Sequence, residues 1–279
     1  MSNWIIAYEP WIRLSFFIGV LLLMALWEQI APRRPYVASR GARWTSHLIV
    51  SALNATLVRV VLPATAVGMA FFAERKGWGL FNLYAVPDWL TLVLCVIALD
   101  FVIYLQHVMF HAVPLFWRLH RVHHADLDFD VTTGVRFHPI EIFLSMLIKF
   151  AAIVVLGAPA LAVMIFEILL NATTMFNHAN IRMPLALDRA LRRIVVTPEM
   201  HRVHHSIAAH ETNSNFGFNL PWWDRLFGTY QDQPDAGHER MTIGIDGWRD
   251  ERQVDRLTGI LALPFRGAVT GYTINRRWK

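Results

Sequence analysis

The chain has one cysteine, Cys95, in 279 residues. That excludes a disulfide framework, and with it an iron–sulfur centre held by several cysteines of this chain. Charge is also scarce. Asp, Glu, Lys and Arg make up 17% of the residues, against about a quarter in an ordinary soluble domain. Neither a glycine-rich dinucleotide fingerprint nor a haem-attachment motif is present, so no intrinsic haem, flavin or Fe–S group is expected. The net charge of +5 comes without a long basic run, which argues against nucleic acid as a partner. Short basic segments between apolar stretches fit the loops of a membrane protein instead. The first apolar stretch, LSFFIGVLLLMALW after Arg13, has no small-residue cleavage pattern. It reads as a retained anchor rather than a cleaved leader.

Apolar residues fill the space that charge leaves: they are 55% of the chain. A helix crossing a hydrocarbon core of about 30 Å needs roughly 20 apolar residues. Residues 14–31, 48–72 and 89–110 meet that requirement. Residues 141–178 are too long for one span, and GAPA at 157–160 divides them into helices of about 141–156 and 160–178. The fourth span is short and could instead be half of a re-entrant pair. The expected fold is all-α: an integral membrane helical bundle of four to five spans with a histidine-rich cytosolic helical cap. Residues 1–90 would be anchor helices, 91–230 the histidine-bearing domain and 231–279 a C-terminal cytosolic tail. The loop RRPYVASRGAR at 33–43 holds four arginines and no acid. Placing it inside puts the N-terminus outside and the histidines and C-terminus in the cytoplasm, most simply at an inner or cytoplasmic membrane.

Histidine is what the chain concentrates. Of thirteen, nine fall in two windows: His107, His111, His120, His123 and His124, then His201, His204, His205 and His210. The pentapeptide HRVHH occurs in both. On a helix, residues three and four apart share a face, so His107 and His111 meet, as do the histidines of each HRVHH. Adjacent rings such as His123 and His124 splay by about 100° and can reach different ions. Neutral imidazole is the commonest metal ligand. The eight motif histidines exceed what one zinc takes; two six-coordinate ions would use them. The pattern is not HExxH, since Arg and Val fill the central positions. His47, His210 and His238 stand apart and read as structural or surface residues. His138, in RFHPIE, and His178 are further candidates, either as ligands or as polar neighbours of ligands.

Two polar stripes run along predicted spans. Asp100, Tyr104, His107 and His111 form one; Glu167, Asn171, Thr174 and His178 form the other. Asp100, Tyr104, Glu167 and Asn171 would orient imidazole N–H groups and offset metal charge, or else make polar helix–helix contacts. Arg59, in the second span, pairs with one of these acids or snorkels to the interface. Two rival readings from other classes are a histidine-rich membrane metal transporter and a zinc-dependent lipid hydrolase.

Taken together, H-x3-H at His107 and His111, and H-x2-HH at both His120–His124 and His201–His205, resemble the fatty acid hydroxylase / sterol desaturase superfamily. The flanking DFVIYLQHVMFHAVPLFWRLHRVHHAD, RFHP and NFGFNLPWWDRLFGTY add to the likeness, which covers roughly residues 95–230. The resemblance implies an integral membrane, non-haem diiron oxidoreductase, with two iron ions and O2 as co-substrate. It adds weight to His138 and His178 as ligands. Hydroxylation or desaturation of a C–H bond on a fatty acyl chain, sterol or related lipid is the implied activity. Electrons would come from an external donor, a ferredoxin or a cytochrome b5-like protein with its reductase.

Overall fold

The computed structural model describes residues 2–268, 272 and 274. Part of the expected C-terminal tail, residues 269–271, 273 and 275–279, lies outside the described residues. The long helices are α1 (Ser2–Ile30), α2 (Arg40–Val61), α3 (Ala66–Lys76), α5 (Asp88–Ala112), α6 (Pro114–His124), α7 (Pro139–Leu156) and α8 (Ala160–Asn177), with a short α4 (Leu80–Leu83) before α5. Short helices follow: α9 (Leu185–Leu191), α10 (Pro198–His204), α11 (Ala209–Thr212), α12 (Trp222–Leu226), α13 (Glu251–Val254) and α14 (Leu257–Ala262). Among the described residues the only β pairing is isolated bridges. The fold is all-α, a membrane-type helical bundle with a histidine-rich cap.

Among the described residues, five segments are long and apolar enough to cross a bilayer: Ala7–Ile30, Arg40–Leu83, Asp88–Ala112, Pro139–Leu156 and Ala160–Asn177. The division at GAPA follows from local chemistry. Gly157 ends α7 in the left-handed region, at φ 65°, and Pro159 precedes the first residue of α8; both residues suit a helix end and a restart. A side chain at Gly157 would also strike the backbone of Trp78 and Gly79. Glycine here lets the α3–α4 turn close on the end of α7.

The second span departs from the single helix expected over 48–72. α2 starts earlier, at Arg40, and stops at Val61. Pro63 lacks an N–H and cannot continue a helix ladder, and the Thr65 hydroxyl caps α3 by accepting from Gly68 N at 3.0 Å. A hydropathy window is blind to this break because the residues around it are apolar. Nor do the first 90 residues stand apart: α1 packs on α8, and α3 packs on α7 and α8. Part of the C-terminal region packs on the rest as well. Ile260 and Leu263 share a buried cluster with Val50, Trp117 and Val122.

The cap is clamped to the bundle by buried ion pairs. Arg43 reaches Asp126 through Nε (2.7 Å) and Nη2 (2.8 Å), and Asp130 through Nη1 (2.8 Å). Arg136 pairs with Asp255 at 2.7 Å. Glu28, near the end of α1, accepts from Val131 N (2.7 Å) and Asn180 N (2.8 Å). Arg43, one of the four arginines of 33–43, therefore holds the segment 126–133 in place, whatever it also does for orientation. Arg43 works against burial, which lowers the charged form of Arg and raises Asp; its charge keeps the Asp126 carboxyl well below the usual range.

Candidate metal centre

A one-residue hinge brings the first histidines together. α5 ends at Ala112, Val113 leaves the helix, and Pro114 opens α6. Proline suits a first helical position because its missing N–H would go unused there. The turn lays His120 and His124 of α6 against His107 and His111 of α5: the Nε2 atoms of His107 and His120 are 3.0 Å apart, and those of His111 and His124 3.1 Å. α10 supplies the second HRVHH. Thr197 caps it, accepting from Met200 N, and Pro198 begins it.

Nine histidines form two groups. His107, His111, His120, His124 and His204 make the first; His123, His178, His201 and His205 make the second, and all nine are buried. Each HRVHH is split between them. The i, i+4 pair of the first copy, His120 and His124, enters the first cluster and His123 the second. The other copy does the reverse: His201 and His205 join the second cluster and His204 the first. Adjacent rings thus diverge to different clusters, as the 100° splay requires.

The ring nitrogens face one another as ligands do. His107 Nδ1 donates to Phe216 O (2.7 Å) and His204 Nδ1 donates to Ser214 O (2.6 Å). A carbonyl only accepts, so in the neutral ring the proton is on Nδ1 and Nε2 carries a lone pair. Those two Nε2 atoms nevertheless lie 3.0 Å apart. Two lone pairs so placed repel unless a cation lies between them. In the second cluster His178 Nδ1 donates to Thr174 O (2.7 Å), and its Nε2 is 3.1 Å from His123, 3.1 Å from His201 and 3.2 Å from His205. Nitrogens bound at right angles to one ion, each at about 2.1 Å, stand about 3.0 Å apart. The donor set and its spacing fit two metal ions.

Burial keeps these rings uncharged. It pushes His120 and His178 down to about 3. His123, His124, His201, His204 and His205 lie well below the usual imidazole range, through burial first and neighbouring rings second. Neutral imidazole is the ligating form.

Other expected residues are placed elsewhere. His138 is outside both clusters. Its Nδ1 accepts from Ile140 N as the cap of α7, and Nε2 lies 3.3 Å from Leu261 O. It occupies the helix start that its neighbour Pro139 creates, so its ring is used up locally. His47 and His238 are buried, bonded to Thr132 (2.9 Å) and Glu199 (3.0 Å), while His210 is exposed. Of the four polar residues expected beside the rings, none hydrogen-bonds a clustered imidazole. Asp100 accepts from Trp223 Nε1 at 2.8 Å and faces the backbone of Asn219 and Leu220. Tyr104 meets Thr229, Glu167 pairs with Lys149 and Arg13, and Asn171 bonds to Glu167 O. Asp100, Tyr104 and Glu167 tie helices to each other and to the cap, while Asn171 bonds within its own helix.

The side chains that do orient rings went unread. Glu141 Oε1 lies 2.6 Å from His120 Nδ1, and Asn213 Oδ1 lies 3.2 Å from His111 Nδ1. A lone acid in the first turn of a mostly apolar span was the available signal for Glu141; Asn213 carried none. Gly134 is equally specific. A Cβ there would lie 2.8 Å from Thr174 O and 3.3 Å from His178 Nδ1, so only glycine lets this loop approach the end of α8.

Beside the first cluster is a cavity of about 630 Å³. His107, His120 and Glu141 contribute to its wall, together with apolar side chains such as Phe110, Val58 and Leu170.

A bundle of apolar helices closed by a twin histidine centre defines a membrane protein built around a pair of imidazole cages. Residues 92–229 match the model of the fatty acid hydroxylase family, and through this stretch the chain belongs to that family. It is 28% identical over 243 residues to an ornithine lipid hydroxylase from Rhizobium tropici, covering 83% of this chain and 70% of that one. An alkylglycerol monooxygenase from Homo sapiens is 28% identical over 171 residues, 61% of this chain and 36% of that protein. A fatty acid hydroxylase from a Lecanicillium species is 26% identical, over 70% of this chain and 54% of its own. The chain therefore spans most of the first relative and only a third to a half of the other two. No solved structure matches.

Proposed function

We propose that this chain is a membrane-bound diiron lipid hydroxylase that uses O2 and external electrons. The observation that carries the reading is the pair of histidine clusters, above all the facing Nε2 lone pairs of His107 and His204. Membership of the fatty acid hydroxylase family supports it, as do relatives named for hydroxylating lipids. His107, His111, His120, His124 and His204 would hold one iron, and His123, His178, His201 and His205 the other. Bound there, the irons would supply reductive activation of O2, so that one oxygen atom enters a C–H bond and the other leaves as water with two electrons and two protons. The chain's own contribution is placement. Carbonyls of Phe216, Ser214 and Thr174 fix which nitrogen of His107, His204 and His178 carries the proton. Glu141 holds the His120 ring through its Nδ1. The cavity brings an acyl chain against His107 and His120 behind apolar walls that exclude water.

Electrons enter from a separate carrier, a ferredoxin or a cytochrome b5-like protein with its reductase, since the chain carries no redox motif of its own. The cap lies on the cytoplasmic side with the N-terminus outside. Protein purified anaerobically and loaded with ferrous iron is expected to bind about two irons per chain, one per cluster. Supplied with reductant and O2, it should add one oxygen to a lipid, and a deletion strain should lack that product. One zinc per chain with O2-independent turnover, or ion flux in vesicles without O2 uptake, would overturn the reading.

A further inference from the structure

We propose that the cavity takes a lipid whose head carries a negative charge, a carboxylate or a phosphate, held by the guanidinium of Arg59. The inference rests on the hydroxylase reading and adds the chemistry of the substrate's polar end.

Three cations line the cavity: Arg13, Arg59 and Lys149. Two are already matched. Lys149 Nζ is 2.5 Å from Glu167 Oε1, Arg13 Nη2 is 2.7 Å from Glu167 Oε2, and Arg13 Nη1 is 2.6 Å from Glu9. Two positive and two negative side chains make that quartet self-neutral. Arg59 is the exception. Among the described residues it makes no ion pair or hydrogen bond, it is exposed, and it sits in the last turn of α2. A cation in an apolar span is costly without an anion, and such residues mark ligand paths.

Asn54 is the independent observation. Its Nδ2 donates to Phe137 O at 2.9 Å, which fixes the amide orientation. Its Oδ1 is then a buried acceptor with no donor among the described residues, and Asn54 lines the same cavity. Buried acceptors rarely stay unmatched. A hydroxyl or amide N–H on the ligand would match it. The Phe137 ring stacks on His123 at 4.4 Å, so Asn54 lies at the histidine end of the cavity. Arg59 is five residues further along α2, about 7.5 Å at 1.5 Å per residue. An anionic head at Arg59 with a donor group facing Asn54 places the adjoining carbons next to His107 and His120.

Iron-loaded protein in a neutral detergent tests this directly. Retention of palmitate, palmitoyl lysophosphatidate and monopalmitoylglycerol is compared by native mass spectrometry, with iron content and O2-dependent turnover measured on the same samples. Wild type is expected to retain the two anionic lipids about tenfold better than the neutral one, the size of a charge-assisted contact. Arg59→Gln should erase that preference with iron content unchanged, and Arg59→Lys should restore part of it. Ser145→Trp, which fills the cavity, should lower retention of all three lipids. Arg189→Gln, on α9 outside the cavity, should behave as wild type. The proposal is overturned if Arg59→Gln keeps the preference, or if Ser145→Trp keeps anionic lipid bound, which would mean annular lipid rather than a cavity ligand. A wild type that shows no charge preference while iron and turnover are intact defeats this inference alone; a wild type that binds no iron yet keeps the preference defeats the hydroxylase reading alone.

Discussion

The first histidine cluster is wired into its surroundings, and the second is mostly packed into them. In the first, His107, His111, His120 and His204 each have an Nδ1 partner, a carbonyl, an amide oxygen, a carboxyl and a carbonyl, while Nδ1 of His124 has none among the described residues. In the second, His178 has one, while Nδ1 of His123 and of His205 has none among the described residues. Aromatic faces hold these rings instead. Phe137 stacks on His123 at 4.4 Å, and Phe129 lies 5.4 Å from His178 and 5.0 Å from His205. Only the first cluster reaches the cavity wall. Two cages of the same residue type therefore differ in what sets their tautomers, and the better-fixed one faces the substrate space. A ring whose proton is held by an outer partner presents Nε2 without rearrangement, which strengthens its metal bond.

The comparison can be broken most severely by removing a ligand from each side. His204→Ala and His123→Ala should each reduce iron from about two per chain to one or fewer and abolish oxidation, while the protein still inserts in the membrane; elemental analysis and product formation read this. Retention of both irons in either variant would dismantle the two-cage picture. Glu141→Gln asks how much the wiring matters. Losing an outer carboxylate typically costs about 10–100-fold in metal affinity or activity, and the loss should fall on the first iron only, visible by site-resolved Mössbauer spectra.

A smaller effect is expected outside both cages. His238→Ala removes the buried partner of Glu199 and should cost about 1–3 kcal/mol of stability with iron content unchanged. The same pair gives a pH dependence. Burial raises the Glu199 carboxyl, but hydrogen bonding from His238 and the charge of Arg202 outweigh it and hold the group well below the usual range. A carboxyl depressed in the folded state stabilises above its unfolded value, near 4.5, and that stability is lost as pH falls below it. Thermal melts should show this acid loss, and Glu199→Gln should flatten it. Smallest is Phe137→Leu, which removes the ring stacked on His123. About 0.5–1.5 kcal/mol is at stake, read as faster iron release from the second cage alone.

Much of the architecture was legible because it rests on local chemistry. The helix break at Gly157 and Pro159, and the divergence of His123 from His124 or His204 from His205, follow from residue type and helix geometry. Proximity along one helix does not by itself choose a partner. Asp100, Tyr104, Glu167 and Asn171 share stripes with histidines, yet a helix face can serve several neighbours, and each of these residues found one other than an imidazole. His138 lies outside both clusters for a similar reason: as the residue before Pro139 it caps α7.

The sequence by itself determined an apolar all-helical chain with eight motif histidines at metal-ligand spacing, since composition and 3.6-residue periodicity need no long-range information. Only the tertiary structure decided which rings share a cage, that His178 joins one and His138 neither, and that Glu141 and Asn213 stand behind them. Those contacts join residues from 13 positions apart, as His107 and His120, to 102 apart, as His111 and Asn213, set by how α5, α6, α7, α8 and α10 pack, and no local pattern encodes them.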